Sequence, residues 1–495
     1  MTADPARLPS PAFNDVSAEV LSGSMKVASR GVTQSLVDFV GPDYYDFDWG
    51  WPGLGKPKRN GIDDDSAIWN AIAANKPAMK VIPGVINVKS AGLVHELPNL
   101  KLSVPGGGQS VQVVRDLALQ GVPTMRIGSV EANKPAGNVH MDPLFIVHPY
   151  RLGFAGSALP SRLTNDESAL EVHGAQGGDI GLVWFGHVNG ISMYGGDGYT
   201  LRPYFAGGMW DNTNADLQET KSALRFLASP THGHGKTGAI LGGNLIGGYE
   251  SAARDFQIGL QTLHRPEAIG AQALVLIESL EYGYIDSTFV GGANEHSIAV
   301  IPTSASCVLQ SLKITNSDID QSRISGVYAR RDSASYPILQ TLLISHTELN
   351  GVYEGRHAVF IDDIGGVRSV RNLGMSNLVT RAHLATPFYL RGVDGGFASQ
   401  IRACGYNEAG NVNDSGPGLQ SCVSGMYITG LTRNFRRSFC TFGGDANDDD
   451  ATNKCQWGAI DGTLASANNR YFADMALNLG MAGGALRAGG TAETA

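Results

Sequence analysis

The sequence repeats one pattern at a fixed spacing: LQSLKITNSDIDQSRISGVYAR at 309–330 and LQTLLISHTELNGVYEGRHAVF at 339–360. An earlier stretch, LEYGYIDSTFVGGANEHSIAVI at 280–301, follows the same pattern. Each unit consists of short β-type runs. Because one unit is too small to bury its own apolar face, successive units must stack on one another. The repeat therefore predicts an all-β fold, a parallel β-helix.

The repeat also predicts which side chains stack inside the coils. Three sets of residues share a spacing of 30: Tyr282, Leu312 and Leu342; Tyr284, Ile314 and Ile344; and Phe289, Ile319 and Leu349. The predicted stacked columns include Ile314 with Ile344 and Ile319 with Leu349. Side chains of a strand alternate between its two faces, so Ile314 and Ile319 can both point inward only if the chain bends between them. With Ile319 inward, its neighbour Asp318 points outward.

Outward acids on adjacent coils are the candidate catalytic residues. The column of Asp318 is predicted to contain Thr288, Asp318, Glu348 and Asn377. Stacked coils lie ~4.8 Å apart, and two carboxylates that close push one towards its protonated form. Glycoside hydrolysis uses a protonated acid beside a carboxylate, so Asp318 and Glu348 are predicted to be catalytic. The simpler interpretation is a pair of solvated surface acids, and the competing candidates are Asp286, Glu354, Asp362 and Asp363.

Aromatic and basic side chains near the coils are candidates for carbohydrate binding, because aromatic rings can stack on sugar rings. The candidates are Tyr353, Tyr328, Trp210 and Arg330. Tyr353 lies in the turn NGVYEG at 350–355 and has the strongest case for exposure. An aromatic residue in a solenoid is more often part of the core, and Arg330 could simply offset Asp332.

Composition limits the partners and cofactors. The 495 residues carry a net charge of -9, and 17% of them are charged, which argues against the basic surface of a nucleic-acid-binding protein. No apolar run approaches the ~20 residues of a membrane span, and the N-terminus has no signal-peptide pattern. Five cysteines without a CxxC motif predict free thiols; a Cys422–Cys440 disulfide is the alternative.

No cofactor and no metal are expected. The Gly-Lys-Thr stretch at 235–237 lacks the preceding glycine and the strand-to-helix context of a phosphate-binding loop. The acidic stretch at 445–456 lacks the central Gly and final Glu of a calcium loop. His232 and His234 are a lone pair without further ligand spacing.

Three motifs near the N-terminus point to a known family. They are LVDF at 36–39, NGIDDDSAI at 60–68, which reads as the start of a short helix, and VIPG at 81–84. In this order they resemble the opening of right-handed β-helix proteins of the pectate-lyase-like superfamily, phage tailspikes prominent among them. The resemblance covers residues 36–84 directly, and the coils extend it over 40–405. The segment at 41–59 is longer than usual and differs.

The resemblance implies a fold and a function. The expected divisions are an N-terminal virion-attachment segment at 1–45, a right-handed parallel β-helix at 46–405, and a C-terminal cap or trimerisation region at 406–495. A tailspike would be a homotrimer that joins other phage tail proteins through its N-terminus. It would be assembled in the host cytoplasm and would act outside the cell, where it binds and cleaves a bacterial surface polysaccharide. The alternatives are a tail or baseplate protein that only binds a glycan, and a polysaccharide lyase.

Overall fold

The computed structural model describes residues 26–487, except for residues 30–31, 36–43, 107–109, 117–118, 120, 148–167, 186–188, 208–221, 247–272, 292, 294, 321, 323, 352–355, 365, 384, 406–423, 444–456, 473–474 and 478–485. The chain forms a right-handed parallel β-helix, as predicted. Among the residues that the structure describes, no helix is long and apolar enough to cross a membrane.

Each coil has three faces, here called the first, second and third in chain order. Strands that cross from the first face to the second are Gly137–Val147, Ala175–Phe185, Asp197–Gly207, Gly235–Ile246, Leu280–Gly291, Val370–His383 and Asp394–Gly405. Strands of the first face alone are Tyr45–Asp46, Ala78–Lys80, Lys101–Ser103, Leu309–Thr315, Leu339–Ser345, Arg433–Ser438 and Arg470–Phe472. Strands of the second face alone are Gly84–Val88, Val111–Arg115, Asp318–Asp320, Glu348–Asn350, Thr441–Gly443 and Met475–Leu477.

The third face is a separate parallel sheet. Its strands are Leu93–His95, Met125–Ile127, Ser168–His173, Asn189–Tyr194, Ser222–Leu227, Ala273–Ile277, His296–Val300, Ser325–Ala329, His357–Ile361, Phe388–Leu390, Ser424–Ile428, Trp457–Asp461 and Leu486–Arg487. Outside the coils, Lys26–Ser29 pairs antiparallel with Val32–Ser35. Short 3-10 helices occupy Phe47–Trp49 and Ala465–Ala467.

The predicted interior columns are confirmed in the two clean repeats. Ile314 pairs with Ile344 and Ile319 pairs with Leu349, and all four are buried. These inward aliphatic side chains form one continuous apolar core along the coils.

A bend separates the first face from the second, as the spacing of the apolar residues predicted. Asn316, His346 and Asn377 occupy equivalent bend positions on successive coils, with φ of 47°, 51° and 52°. This left-handed backbone turns the chain, and asparagine tolerates it better than most residues. The hydroxyls of Ser317 and Thr347 each donate to the carbonyl two residues earlier, at 2.8 and 2.9 Å. The bend is what allows apolar residues five positions apart to point into the same core.

One predicted register is wrong. In the strand Leu280–Gly291, Ile285 pairs with Ile314 and Val290 pairs with Ile319, so this coil is one residue shorter than the next one. Tyr282 and Tyr284 therefore do not enter the inward columns. Because strand side chains alternate, the shift of one residue places both tyrosines on the outer surface, 44% and 40% exposed.

A helix closes the N-terminal end of the coils. Ser66–Ala73 is α-helical, and its side chains Ile68, Trp69 and Ile72 are buried in the main core. The ring of Trp69 packs 5.5 Å from that of Phe47. Covering the first coil in this way removes an open edge that could pair with another chain.

The coils continue beyond the predicted boundary at residue 405. Ser424–Ile428 pairs in parallel with Phe388–Leu390, and Arg433–Ser438 pairs with Asp394–Gly405. The described part of 406–495 thus extends the solenoid instead of forming a separate cap, and the prediction is corrected there. Its role in trimerisation stays a prediction.

Candidate active site on the second face

Asp318 and Glu348 lie side by side on the second face. They are register partners in the parallel pairing of Asp318–Asp320 with Glu348–Asn350. Because the adjacent Ile319 and Leu349 are buried in the core, alternation directs both acids outward. The structure therefore brings together the two residues that the sequence predicted as a pair.

The two acids differ in their surroundings. Partial burial, with a smaller contribution from the negative charge of Glu348, raises the pKa of Asp318 to about 6. Its Oδ1 is buried and has no hydrogen-bond partner among the described residues. In contrast, Oε1 of Glu348 accepts a hydrogen bond from the side-chain amide of Asn350 at 3.2 Å. Burying a polar atom without a hydrogen-bond partner costs free energy. Titratable groups whose pKa is shifted by burial and a neighbouring charge are common at functional sites.

The neighbours of the pair explain the burial of Asp318. The outward column runs Phe289, Asp318, Glu348, Val379 and Arg402. The sequence analysis placed Thr288 and Asn377 in this column. The structure places Phe289, one residue later, and Val379, two residues later, in those positions. An apolar side chain thus lies one coil away from each acid, on the side opposite its partner, and it limits the access of water to the pair.

The competing acids are engaged in structural contacts. Oδ1 of Asp286 accepts from Oγ1 of Thr315 at 2.7 Å and from Nδ2 of Asn316 at 2.9 Å, and these bonds lower the pKa of Asp286. Asp362 and Asp363 are buried and pair with Arg391, at 3.4 and 2.9 Å. Glu354 lies outside the described residues.

Tyr328 does not fit the predicted sugar-binding role. Its side chain is only 5% exposed, and its ring stacks on that of His296 at 4.1 Å. Its hydroxyl donates to Oδ2 of Asp362 at 3.3 Å. Although Tyr328 points out of the main core, neighbouring side chains cover its ring, so it offers no face to a ligand.

Arg330 is held by a local ion pair. Its Nη2 donates to Oδ2 of Asp332 at 2.8 Å, which matches the simpler of the two interpretations offered for it. The remaining two predicted binding residues, Tyr353 and Trp210, lie outside the described residues.

Exposed tyrosines on the first face were missed by the sequence analysis. Tyr282 and Tyr284 both present their rings to the surface. Nζ of Lys313, one coil away, donates to the hydroxyl of Tyr284 at 2.8 Å and lies 5.0 Å from the ring centroid. The signal that could have found them is the apolar pair Ile285 and Val290, which fixes the inward positions of this coil.

No metal centre is evident in the described ranges, where no group of three or more His, Cys, Asp or Glu side chains could hold a metal ion. The acid pair itself is the chemically distinctive feature of the second face. It combines a carboxyl whose pKa is raised to about 6 with a second carboxyl one coil away.

Comparisons with known proteins identify the fold. No protein-family model and no curated protein sequence matches the chain. The N-terminal fragment of gene product 12 of bacteriophage Phi29 matches with a TM-score of 0.57 and 10% identity, over 85% of this chain and 69% of that fragment. At this identity, the match shows the parallel β-helix fold that the sequence predicted.

Two further solved structures are more distant. A mutant tailspike protein of E. coli bacteriophage HK620, in complex with a pentasaccharide, has a TM-score of 0.46 and 10% identity, over 94% of this chain and 85% of the tailspike. PfbA, a surface adhesin of Streptococcus pneumoniae, has a TM-score of 0.45 and 10% identity, over 86% and 90% of the two chains.

Proposed function

We propose that this protein is a phage tailspike that binds a bacterial surface polysaccharide and hydrolyses it, with Asp318 and Glu348 as the catalytic residues. The observation that carries the proposal is the pair itself, in which Asp318 has a pKa of about 6 beside a second carboxyl. The fold shared with a bacteriophage protein supports the proposed role in a phage particle. Two carboxyl groups in different protonation states are the chemical requirement of glycoside hydrolysis.

The environments assign the roles. Asp318 holds the proton and gives it to the glycosidic oxygen as the bond from the anomeric carbon to that oxygen breaks. Glu348 either attacks the anomeric carbon, forming an ester that a water then hydrolyses after giving its proton to Asp318, or removes a proton from a water that attacks that carbon directly. In both cases one water is consumed, and the new ends are a reducing sugar and an alcohol. Adjacent coils are ~4.8 Å apart, which suits a closely spaced pair.

A tailspike role also implies a location and an assembly. The protein would be assembled in the host cytoplasm and sit on the virion tail, where its N-terminal segment would join other tail proteins. We further propose a parallel homotrimer, which would protect the solenoid against association through its ends. Light scattering should give about three times the chain mass of 52.2 kDa; a mass near 52.2 kDa at micromolar concentration would contradict the trimer.

Purified capsular, exopolysaccharide and lipopolysaccharide preparations test the function. The wild-type protein should bind one of them and release reducing ends over time. An unsaturated product that absorbs in the ultraviolet would instead identify a lyase. Binding without any change in polymer mass would identify a receptor-binding tail protein, and Asp318 and Glu348 would then be surface acids.

A further inference from the structure

A groove lies far from the acid pair, at the corner where the third face passes into the first. The turn after the strand Ser168–His173 consists of Gly174 alone. The turn after the strand Asn189–Tyr194 consists of Gly195 and Gly196. The coils on either side carry longer loops, at 128–136 and 228–234. The short turns lie between these loops and leave a cavity of about 640 Å³.

The walls of the groove are preformed. Nε2 of His232, in the loop at 228–234, donates to the carbonyl of Ser129 in the opposite loop at 2.7 Å. Ser229 closes its own loop, since its amide donates to the carbonyl of Gly233 at 2.7 Å. Lys134 steadies the other wall through ion pairs with Glu96 and Glu131 at 3.0 and 3.2 Å.

The floor of the groove presents backbone instead of side chains. Gly177 and Gly198 lie next to each other on adjacent coils, with φ of +85° and +68°. A Cβ added to Gly198 would meet nothing closer than Cα of Gly177 at 3.9 Å, so the space above it is open. A glycine within a strand often marks a place where a ligand approaches the backbone closely.

The lining contains hydrogen-bond donors and acceptors, and its charged side chains include both an acid and a base. Gln176, Asp197 and Lys236 are exposed at the start of successive first-face strands. His234 also lines the groove, and its Nε2 donates to Oε2 of Glu281 at 3.3 Å. Glu281 precedes the exposed Tyr282, so the polar lining continues into an aromatic surface on the first face. Hydroxyl-rich ligands need this mixture of donors, acceptors and ring surfaces.

We propose that this groove is a second carbohydrate-binding site, which holds a segment of the same polysaccharide away from the acid pair; the inference rests on the proposed function. The first-face strand Asp197–Gly207 lies three coils from the strand Leu309–Thr315 that precedes Asp318, which is ~14 Å along the axis. Asp318 faces outward on the second face and the groove opens near the first, so the groove anchors the polymer and takes no part in cleavage.

An array of purified capsular and O-antigen polysaccharides tests the groove. The protein carries Asp318→Asn so that bound polymer is not cut. Ala132→Trp, at an exposed wall position, should fill the groove and weaken retention about tenfold, which corresponds to ~1.4 kcal/mol. Lys236→Ala should weaken it several-fold. Lys101→Ala, which removes another exposed first-face lysine outside the groove, should leave retention unchanged.

The outcomes separate the two proposals. If the Asp318→Asn protein binds no polysaccharide on the array, the proposed function and the groove both fail. If it binds and both Ala132→Trp and Lys236→Ala bind equally well, only the groove is overturned. Equal melting temperatures for all variants would establish that the differences in retention come from binding. Because Lys236→Ala creates no steric clash, it keeps the test valid even if Ala132→Trp fails to fold.

Discussion

Replacing Asp318 by asparagine should reduce the release of reducing ends from the polysaccharide by about 100- to 10,000-fold, the contribution that a general acid makes. The amide cannot give a proton to the glycosidic oxygen, yet it keeps the shape of the side chain. Glu348→Gln should cause a loss of similar size, and binding should persist in both variants. The measurement is the initial rate of reducing-end release at saturating polysaccharide.

Asp179→Asn is the matched control, because Asp179 is an exposed outward acid on the first face. Its rate should equal that of the wild type. If Asp318→Asn and Glu348→Gln both retain the full rate, these acids are not catalytic, and the site lies elsewhere on the chain.

The pH dependence separates a catalytic role from a structural one. With a pKa of about 6, Asp318 loses its proton as the pH rises through 6, so the rate should fall above that pH. The folded-state pKa lies above the ordinary value of 3.8, so the folded protein binds more protons between these values and loses stability as the pH rises. Asp318→Asn should therefore melt higher than the wild type at pH 8 and equally at pH 3. A lower melting temperature at pH 8 would indicate a structural role.

Replacing Trp69 by alanine should lower the free energy of unfolding by roughly 3–5 kcal/mol, the usual cost of removing a large buried aromatic side chain. Trp69 is fully buried between the N-terminal helix and the first coils, against Phe47. Without it the helix would no longer cover the open end of the core. Chemical denaturation followed by fluorescence or circular dichroism measures the change.

Ile62→Ala is the control for the helix, because Ile62 lies just before it and is 69% exposed. Its effect should stay within about 0.5 kcal/mol. A Trp69→Ala protein that unfolds at the wild-type denaturant concentration would show that the helix does not stabilise the solenoid.

The sequence alone predicted the stacking of side chains correctly where two coils have the same length. Between 309–330 and 339–360 no residue is inserted, so the spacing of the sequence repeat equals the register of Ile314 with Ile344. It also places Asp318 beside Glu348. One residue fewer between coils was enough to misplace Tyr282 and Tyr284, because a shift of one position exchanges the two faces of a strand.

Other features depend on contacts that no spacing reveals. Tyr328 points away from the main core, as its position in the strand requires, but the ring of His296 from the preceding coil covers it. Near the C-terminus, Ser399 pairs with Ser438, and the coil between them is longer than the regular repeat. The parallel pairing continues across this longer spacing, so the period of the sequence fades although the coils continue. The groove likewise arises from unequal loop lengths on neighbouring coils.

The most direct test of the central claim is digestion of the polysaccharide in water enriched in oxygen-18, followed by mass spectrometry of the products. Hydrolysis by Asp318 and Glu348 predicts fragments that each gain one water, with the heavy oxygen at the new reducing end. The Asp318→Asn protein should yield almost none of them. Unlabelled, unsaturated fragments from the wild type, or labelled fragments from Asp318→Asn at the wild-type rate, would contradict the account.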